Sequence, residues 1–126
     1  MRETQAGSKR VLVIEDYADS AEILRLALES HGHTVEVASS GGEGIEKARA
    51  LRPDVVICDL GLPDMDGLAV ALEIRTDEEL KRTWLIALTA YNIPTLATAA
   101  GFDQHITKPA DLRRLAAQLR EDPPLR

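Results

Sequence analysis

Several features that mark other classes of protein are scarce or absent in this chain of 126 residues. The longest apolar runs are four or five residues long, whereas a helix that spans a bilayer needs about 20. The polar segment 1–9 lacks the apolar core of a secretory signal. The single cysteine, Cys58, cannot form an internal disulfide. We therefore expect a protein that is neither membrane-bound nor secreted and that works in a reducing cytoplasm.

The charge balance lacks the excess of basic residues that nucleic-acid binding requires. Fifteen Lys and Arg residues stand against 21 Asp and Glu residues, which gives a net charge of −6. This balance argues against a nucleic-acid-binding face, where Lys and Arg cluster. The length matches one domain of about 100–150 residues, and the sequence contains no repeat or interdomain linker. We predict one acidic domain over 10–120, with a flexible leader at 1–9 and a flexible tail at 121–126.

Strand patterns and helix patterns alternate five times along the chain. Apolar residues at consecutive positions indicate strands that are covered on both faces, and Gly or Pro separates most of the segments. The predicted strands are 10–14, 34–38, 55–58, 84–88 and 104–107, and the predicted helices are 19–30, 44–51, 68–75, 93–100 and 110–120. The alternation predicts an α/β fold, a single doubly wound (βα)5 domain with an open parallel sheet.

Polar residues end four of the five predicted strands. Glu15 and Asp16 follow strand one, Asp59 follows strand three, Thr89 ends strand four and Lys108 follows strand five. Ligands of open α/β sheets bind at the carboxyl ends of the strands. We therefore expect these side chains to converge at one edge of the sheet.

Three clustered carboxylates imply a cation, because they repel one another unless something positive lies among them. Oxygen ligands favour Mg²⁺, and the lack of a His/Cys ligand set argues against zinc. One carboxylate then serves as a nucleophile toward a phosphoryl group, and the metal, the Thr89 hydroxyl and Lys108 contact the phosphoryl oxygens. The sequence thus predicts a phosphoryl-transfer site.

The arrangement resembles the receiver (CheY-like) domain of response regulators in bacterial two-component systems. The likeness covers about 10–120 and implies a flavodoxin-like sheet in the order 2-1-3-4-5. It rests on four motifs: Glu15-Asp16 after an apolar strand, Asp59 before Leu-Gly-Leu-Pro-Asp-Met-Asp-Gly, Leu88-Thr89-Ala90, and Lys108-Pro109.

The resemblance implies a role for each acid of the predicted site. Asp59 accepts a phosphoryl group from the phosphohistidine of a sensor histidine kinase or phosphotransfer protein. Asp16 binds Mg²⁺ directly, and Glu15 does so through water or as a second acid. Asp59 and the backbone carbonyl of Gly61 complete the protein's share of the ligands.

The remaining implied roles concern signalling. Thr89 bonds a phosphoryl oxygen and moves on activation, and Lys108 pairs with the phosphate and precedes a cis peptide bond to Pro109. Such a domain catalyses only its own phosphorylation and dephosphorylation, so we do not expect a turnover enzyme. The expected partners are a kinase or phosphotransfer protein and a downstream protein target, without direct contact to nucleic acid or membrane.

The chain departs from the family pattern in two places. His105 stands three residues before Lys108, where the family usually has a Tyr or Phe that switches rotamer together with the Thr. The span from Thr89 to Lys108 is about three residues shorter than usual, roughly one helical turn. We place the shortening at 91–101, in the fourth predicted helix.

Three alternative functions compete with a phosphorylated receiver. A degenerate receiver that binds partners without phosphorylation is the runner-up. A Mg²⁺-dependent phosphatase usually carries a second Asp two residues after its nucleophile, where this chain has Gly61. A flavodoxin-like metabolite-binding domain needs a phosphate loop after strand one, where this chain has acids. Whether the receiver acts alone or belongs to a hybrid kinase stays open.

Overall fold

Five parallel strands form one sheet in the order β2-β1-β3-β4-β5. The structure is a computed structural model that describes residues 7–90 and 100–121. The predicted order and the parallel pairing are confirmed. The strands are β1 (Arg10–Ile14), β2 (Thr34–Ala38), β3 (Val55–Asp59), β4 (Trp84–Thr89) and β5 (Gln104–Thr107).

Helices cover both faces of the sheet, as the doubly wound pattern predicts. One face packs against the first and the C-terminal helices, and the other packs against the second and third. The helices are α1 (Ala18–Glu29), α2 (Gly41–Leu51), α3 (Gly67–Arg75) and the C-terminal helix α4 (Leu112–Leu119), and a 3-10 turn at Glu78–Leu80 precedes β4.

The core consists of two layers because successive side chains of a strand point to opposite faces. Val13 and Ile57 are fully buried against α1 and α4, whereas Leu12 and Val56 are fully buried against α2 and α3. Each such side chain contributes about 1.5–3 kcal/mol when it leaves water. Burial on both faces explains why the strand sequences are apolar at consecutive positions.

Helix α2 begins three residues earlier than the sequence pattern predicts. The pattern treats Gly41 and Gly42 as a break, yet both lie in the first turn of α2, and the Ser40 hydroxyl accepts the Glu43 N–H. A Cβ atom on Gly41 would lie 2.3 Å from Cγ of Met65. The glycine is therefore needed for close packing of another segment against the helix, which a local pattern does not show.

The structure describes part of the predicted leader and little of the fourth predicted helix. Residues 7–9, inside the segment predicted to be flexible, make defined contacts, since the Ser8 hydroxyl donates to the Gly32 carbonyl at 2.6 Å. The boundaries of a flexible leader and tail stay predictions. The fourth predicted helix, 93–100, and the shortening at 91–101 lie outside the described residues, except for the helical Ala100 and for Gly101.

The described helices are short. Within residues 7–90 and 100–121, no helix is long and apolar enough to cross a membrane.

His33 connects three segments at the amino-terminal edge of the sheet. Its side chain is buried, Nδ1 accepts the Lys9 N–H at 3.1 Å, and Nε2 lies 3.0 Å from the Ala116 carbonyl. Nδ1 can accept only while the ring is neutral. Burial lowers the pKa of His33, and the nearby Arg120 adds to this shift.

We predict that His33 makes the protein less stable in mild acid. The pKa of His33 is lower in the folded than in the unfolded protein. The stability that neutral His33 contributes is therefore fully present above about pH 6.5 and is lost as pH falls. Uptake of one proton by His33 changes the free energy of unfolding by at most about 1.4 kcal/mol per pH unit. Urea unfolding between pH 8 and pH 5 measures it.

His33→Gln is expected to remove the part of the acid dependence of stability that comes from His33. His31→Gln, at a partly exposed histidine on the same turn, is expected to keep it. Comparison with wild type at each pH cancels the contribution of the acidic groups. An unchanged acid dependence in His33→Gln would refute the assignment.

Candidate functional site

Three carboxylates meet at the carboxyl edge of the sheet. Glu15 follows β1 and Asp59 ends β3, and the pairing of Ile14 with Cys58 makes these two acids neighbours. One oxygen from each of Glu15, Asp16 and Asp59 lies within 4.8 Å of the others. The cluster predicted from the strand ends is thus present in the described structure.

Lys108 places its ammonium group against this cluster. Its Nζ lies 2.8 Å from Oδ2 of Asp59 and 3.6 Å from Oε1 of Glu15. The Lys108 backbone N–H donates to the Thr89 carbonyl at 2.7 Å, and the Lys108–Pro109 peptide bond is cis, as the resemblance implied. Lys108 therefore approaches the acids from the end of β5.

Asp59 is held from two sides. Its Oδ1 accepts the Gly61 N–H at 2.8 Å, and its Oδ2 accepts a hydrogen bond from the Lys108 ammonium. Burial opposes ionisation, but the adjacent Glu15 carboxyl and the hydrogen bonds from Lys108 and Gly61 lower the pKa of Asp59. The same contact with Asp59 raises the pKa of Lys108 against the effect of burial. The lowered pKa keeps Asp59 ionised at neutral pH.

Glu15 has the opposite electrostatic environment. It is only 4% exposed, and its Oε2 has no hydrogen-bond partner among the described residues. Burial raises the pKa of Glu15 to about 7, and the adjacent Asp59 adds to the rise while Lys108 opposes it. A buried carboxylate oxygen without a partner is costly. This oxygen suits a cation or a water bound to one.

These acids fit a hard divalent cation. Asp16 is exposed at the mouth of the cluster, while Glu15 and Asp59 are buried beneath it. A cluster of carboxylates that is exposed to solvent on one side matches the preference of Mg²⁺ for oxygen ligands and bound water. The donor set and the unpartnered oxygen of Glu15 therefore agree with a magnesium site.

Thr89 and Gly61 border the cluster. Thr89 is the last residue of β4 and is buried. Gly61 is exposed beside Asp59, and a Cβ atom there would lie 3.7 Å from Asp59 Oδ1. Both residues lie at the predicted edge, and their roles stay predictions.

His105 lies on the same face of the sheet as Thr89. Ala87 pairs with His105, and Thr89 pairs with Thr107, so residues two apart on each strand share that face. His105 is half-buried, and its Nε2 lies 3.5 Å from the Thr107 hydroxyl. The switch role of Thr89 and His105 stays a prediction.

The sequence interpretation missed a contact of Asp64. This residue follows Pro63 in the turn-rich segment after β3, yet its carboxylate binds two backbone N–H groups of α2. The sequence shows an extra acid in this loop and two glycines, Gly41 and Gly42, at a predicted break. Nothing in the sequence indicates that the acid and the glycines contact each other.

Comparison with known proteins identifies the family. The model of the response regulator receiver domain matches residues 11–120. The chain belongs to this family. The receiver shares 35% identity over 112 residues with the DNA-binding response regulator MtrA of Mycolicibacterium paratuberculosis, an alignment that covers 89% of this chain and 50% of MtrA. The chain thus spans about half the length of the curated relatives it matches.

Solved receiver structures agree in fold. Chemotaxis response regulator CheY4 of Vibrio cholerae is 28% identical, with a TM-score of 0.84 over 90% of this chain and 97% of that one. The receiver domain of sensor histidine kinase PA1611 from Pseudomonas aeruginosa is 28% identical, with a TM-score of 0.82 over 90% of this chain and 95% of that one. Its crystal structure has a magnesium ion coordinated in the active site cleft.

Proposed function

We propose that this receiver accepts a phosphoryl group on Asp59 and thereby changes its affinity for a protein partner. The donor is the phosphohistidine of a sensor histidine kinase or phosphotransfer protein. The observation that carries the proposal is the position of Asp59, an ionised carboxylate that is hydrogen-bonded to Lys108 and has an oxygen within 4.8 Å of oxygens of Glu15 and Asp16.

The transfer needs little covalent chemistry from the protein. An oxygen of Asp59 forms the new O–P bond while the P–N bond to the donor imidazole breaks, and the imidazole keeps the electron pair. The Lys108 ammonium, which is hydrogen-bonded to Asp59, lies where it can pair with a phosphoryl oxygen. The Thr89 hydroxyl, at the adjacent strand end, contacts another.

The proposed metal ligands are the Glu15, Asp16 and Asp59 carboxylates and the Gly61 carbonyl. Bound Mg²⁺ neutralises the acids and the charge on the phosphoryl oxygens. The unpartnered Glu15 oxygen and the magnesium-containing relative support this assignment. Asp16 contributes from the exposed side, so the site remains open to a donor.

Signal output is proposed to use Thr89 and His105. Their placement on one face of the sheet supports a route from the phosphoryl group to β5. We propose that the receiver works in the cytoplasm, acts on a protein target and has no turnover activity beyond its own phosphorylation and dephosphorylation. The name of MtrA includes DNA binding, and we propose no direct nucleic-acid contact for 10–120. A phosphorylation-independent module is not favoured, because the acids and Lys108 are all present.

The proposed function predicts the addition of one phosphoryl group. Intact mass is measured after incubation with Mg²⁺ and a small-molecule phosphodonor, with a second sample in excess chelator. We expect one added phosphoryl group with Mg²⁺ and none in chelator. No addition to a protein that circular dichroism shows to be folded would contradict the proposal and favour the phosphorylation-independent module.

A further inference from the structure

The loop between β3 and α3, residues 60–66, is hydrogen-bonded to the first turn of α2 through both carboxylate oxygens of Asp64. Oδ1 of Asp64 accepts the Gly41 N–H at 2.8 Å, and Oδ2 accepts the Gly42 N–H at 2.9 Å. N–H groups in the first turn of a helix have no partner within the helix. Asp64 therefore supplies acceptors from a segment 23 residues away in sequence.

The next residue of the loop strengthens the same connection by packing. A Cβ atom on Gly41 would lie 2.3 Å from Cγ and 2.8 Å from Sδ of Met65. The Met65 side chain thus lies directly against the backbone of α2. Hydrogen bonds from Asp64 and contact from Met65 together hold the middle of the loop on the helix.

The two ends of the loop are attached at the phosphorylation site. The Gly61 N–H donates to Oδ1 of Asp59, and the Gly67 N–H donates to the Leu60 carbonyl at 3.1 Å. Gly61 itself is exposed and has no side chain that packs. Apart from the bond of its N–H to Asp59, its orientation depends on how the rest of the loop is held.

We propose that Asp64 is a positioning residue for the magnesium site. Its carboxylate fastens loop 60–66 to α2 and so keeps the Gly61 carbonyl in place for the metal. Asp64 is not one of the three acids whose oxygens cluster within 4.8 Å. It acts through the loop, and the inference rests on the proposed function because it assigns a residue to the same site.

Asp64→Ala is expected to weaken Mg²⁺ binding about tenfold, at the lower end of the effect of losing a group that orients metal ligands. Isothermal titration calorimetry with MgCl₂ measures the affinity. A second measurement needs no metal: hydrogen exchange of the Gly61 and Gly67 amides is expected to be faster than in wild type.

Two control variants separate the loop contact from other effects. Asp66→Asn removes a negative charge from the same loop, while an amide oxygen can still accept the Leu68 N–H that Asp66 caps. Ser40→Ala weakens the start of α2 by removing the bond to Glu43 but leaves the loop attached. Both are expected to bind Mg²⁺ within about twofold of wild type.

A tenfold loss confined to Asp64→Ala, with faster loop exchange, supports the inference. Equal losses in Asp66→Asn or Ser40→Ala would assign the effect to charge or helix stability and would overturn it. If Asp64→Ala does not fold, Asp64→Asn decides, with an expected affinity below that of both controls. Wild-type affinity in the folded Asp64 variant overturns this inference alone, whereas a wild type that binds no Mg²⁺ overturns the proposed function as well.

Discussion

Asp59→Asn is expected to abolish phosphorylation while the protein keeps its fold. The amide lacks the negative charge that makes the Asp59 oxygen a nucleophile. Its oxygen can still accept one of the two hydrogen bonds that Asp59 makes with Gly61 and Lys108. Intact mass with Mg²⁺ and a phosphodonor is expected to show no added group, and far-ultraviolet circular dichroism is expected to match wild type.

Asp54 offers a matched control, because it directly precedes β3 and so lies at the amino-terminal end of the strand that Asp59 ends. Asp54 also accepts a backbone N–H through its carboxylate, from Arg10 at 2.8 Å. Asp54→Asn removes the same charge far from the acidic cluster and is expected to leave phosphorylation at the wild-type level. A phosphoryl group that still appears on Asp59→Asn would show that another residue is the acceptor.

Arg75→Ala is expected to destabilise the protein by about 3 kcal/mol, at the lower end of the range for breaking a buried ion pair, because it leaves the largely buried Asp103 carboxylate without the Arg75 guanidinium. The Arg75 side chain is 14% exposed and that of Asp103 is 9% exposed, with Nη2 and Oδ2 2.7 Å apart. Arg75 also donates to the Gly101 carbonyl at 2.9 Å and to the Thr83 carbonyl at 2.8 Å. Asp103 accepts the Leu85 N–H as well.

Urea unfolding at neutral pH measures this loss. The control is Arg49→Ala, since Arg49 is half exposed and its Nη2 lies 3.2 Å from Glu73. Exposed pairs contribute about 0–1 kcal/mol, so a small effect is expected there. Similar losses in the two variants would show that the buried pair has no special role in stability.

Much of the fold followed from local patterns. Doubly covered strands must be apolar at successive positions, and alternation with helices allows few connections other than parallel ones. Once the strands are parallel, the residues that end them meet at one edge. The pattern of strand ends therefore predicts that the three acids and Lys108 lie together, although the strand order and each residue's role came from resemblance to the family.

Other features depended on contacts between distant parts of the chain. The start of α2 at Gly41 and the loop contact of Asp64 arise from one interaction across 23 residues, and Arg75 meets Asp103 across 28. Sequence patterns record which residues are apolar or flexible, so they reveal elements and their ends. A hydrogen bond or ion pair between elements depends on distance and direction, which exist only after the sheet and helices have packed. The alternating pattern and the acids at the strand ends were therefore visible in the sequence. The contact of Asp64 with α2, the ion pair of Arg75 with Asp103 and the hydrogen bonds of His33 required the assembled fold.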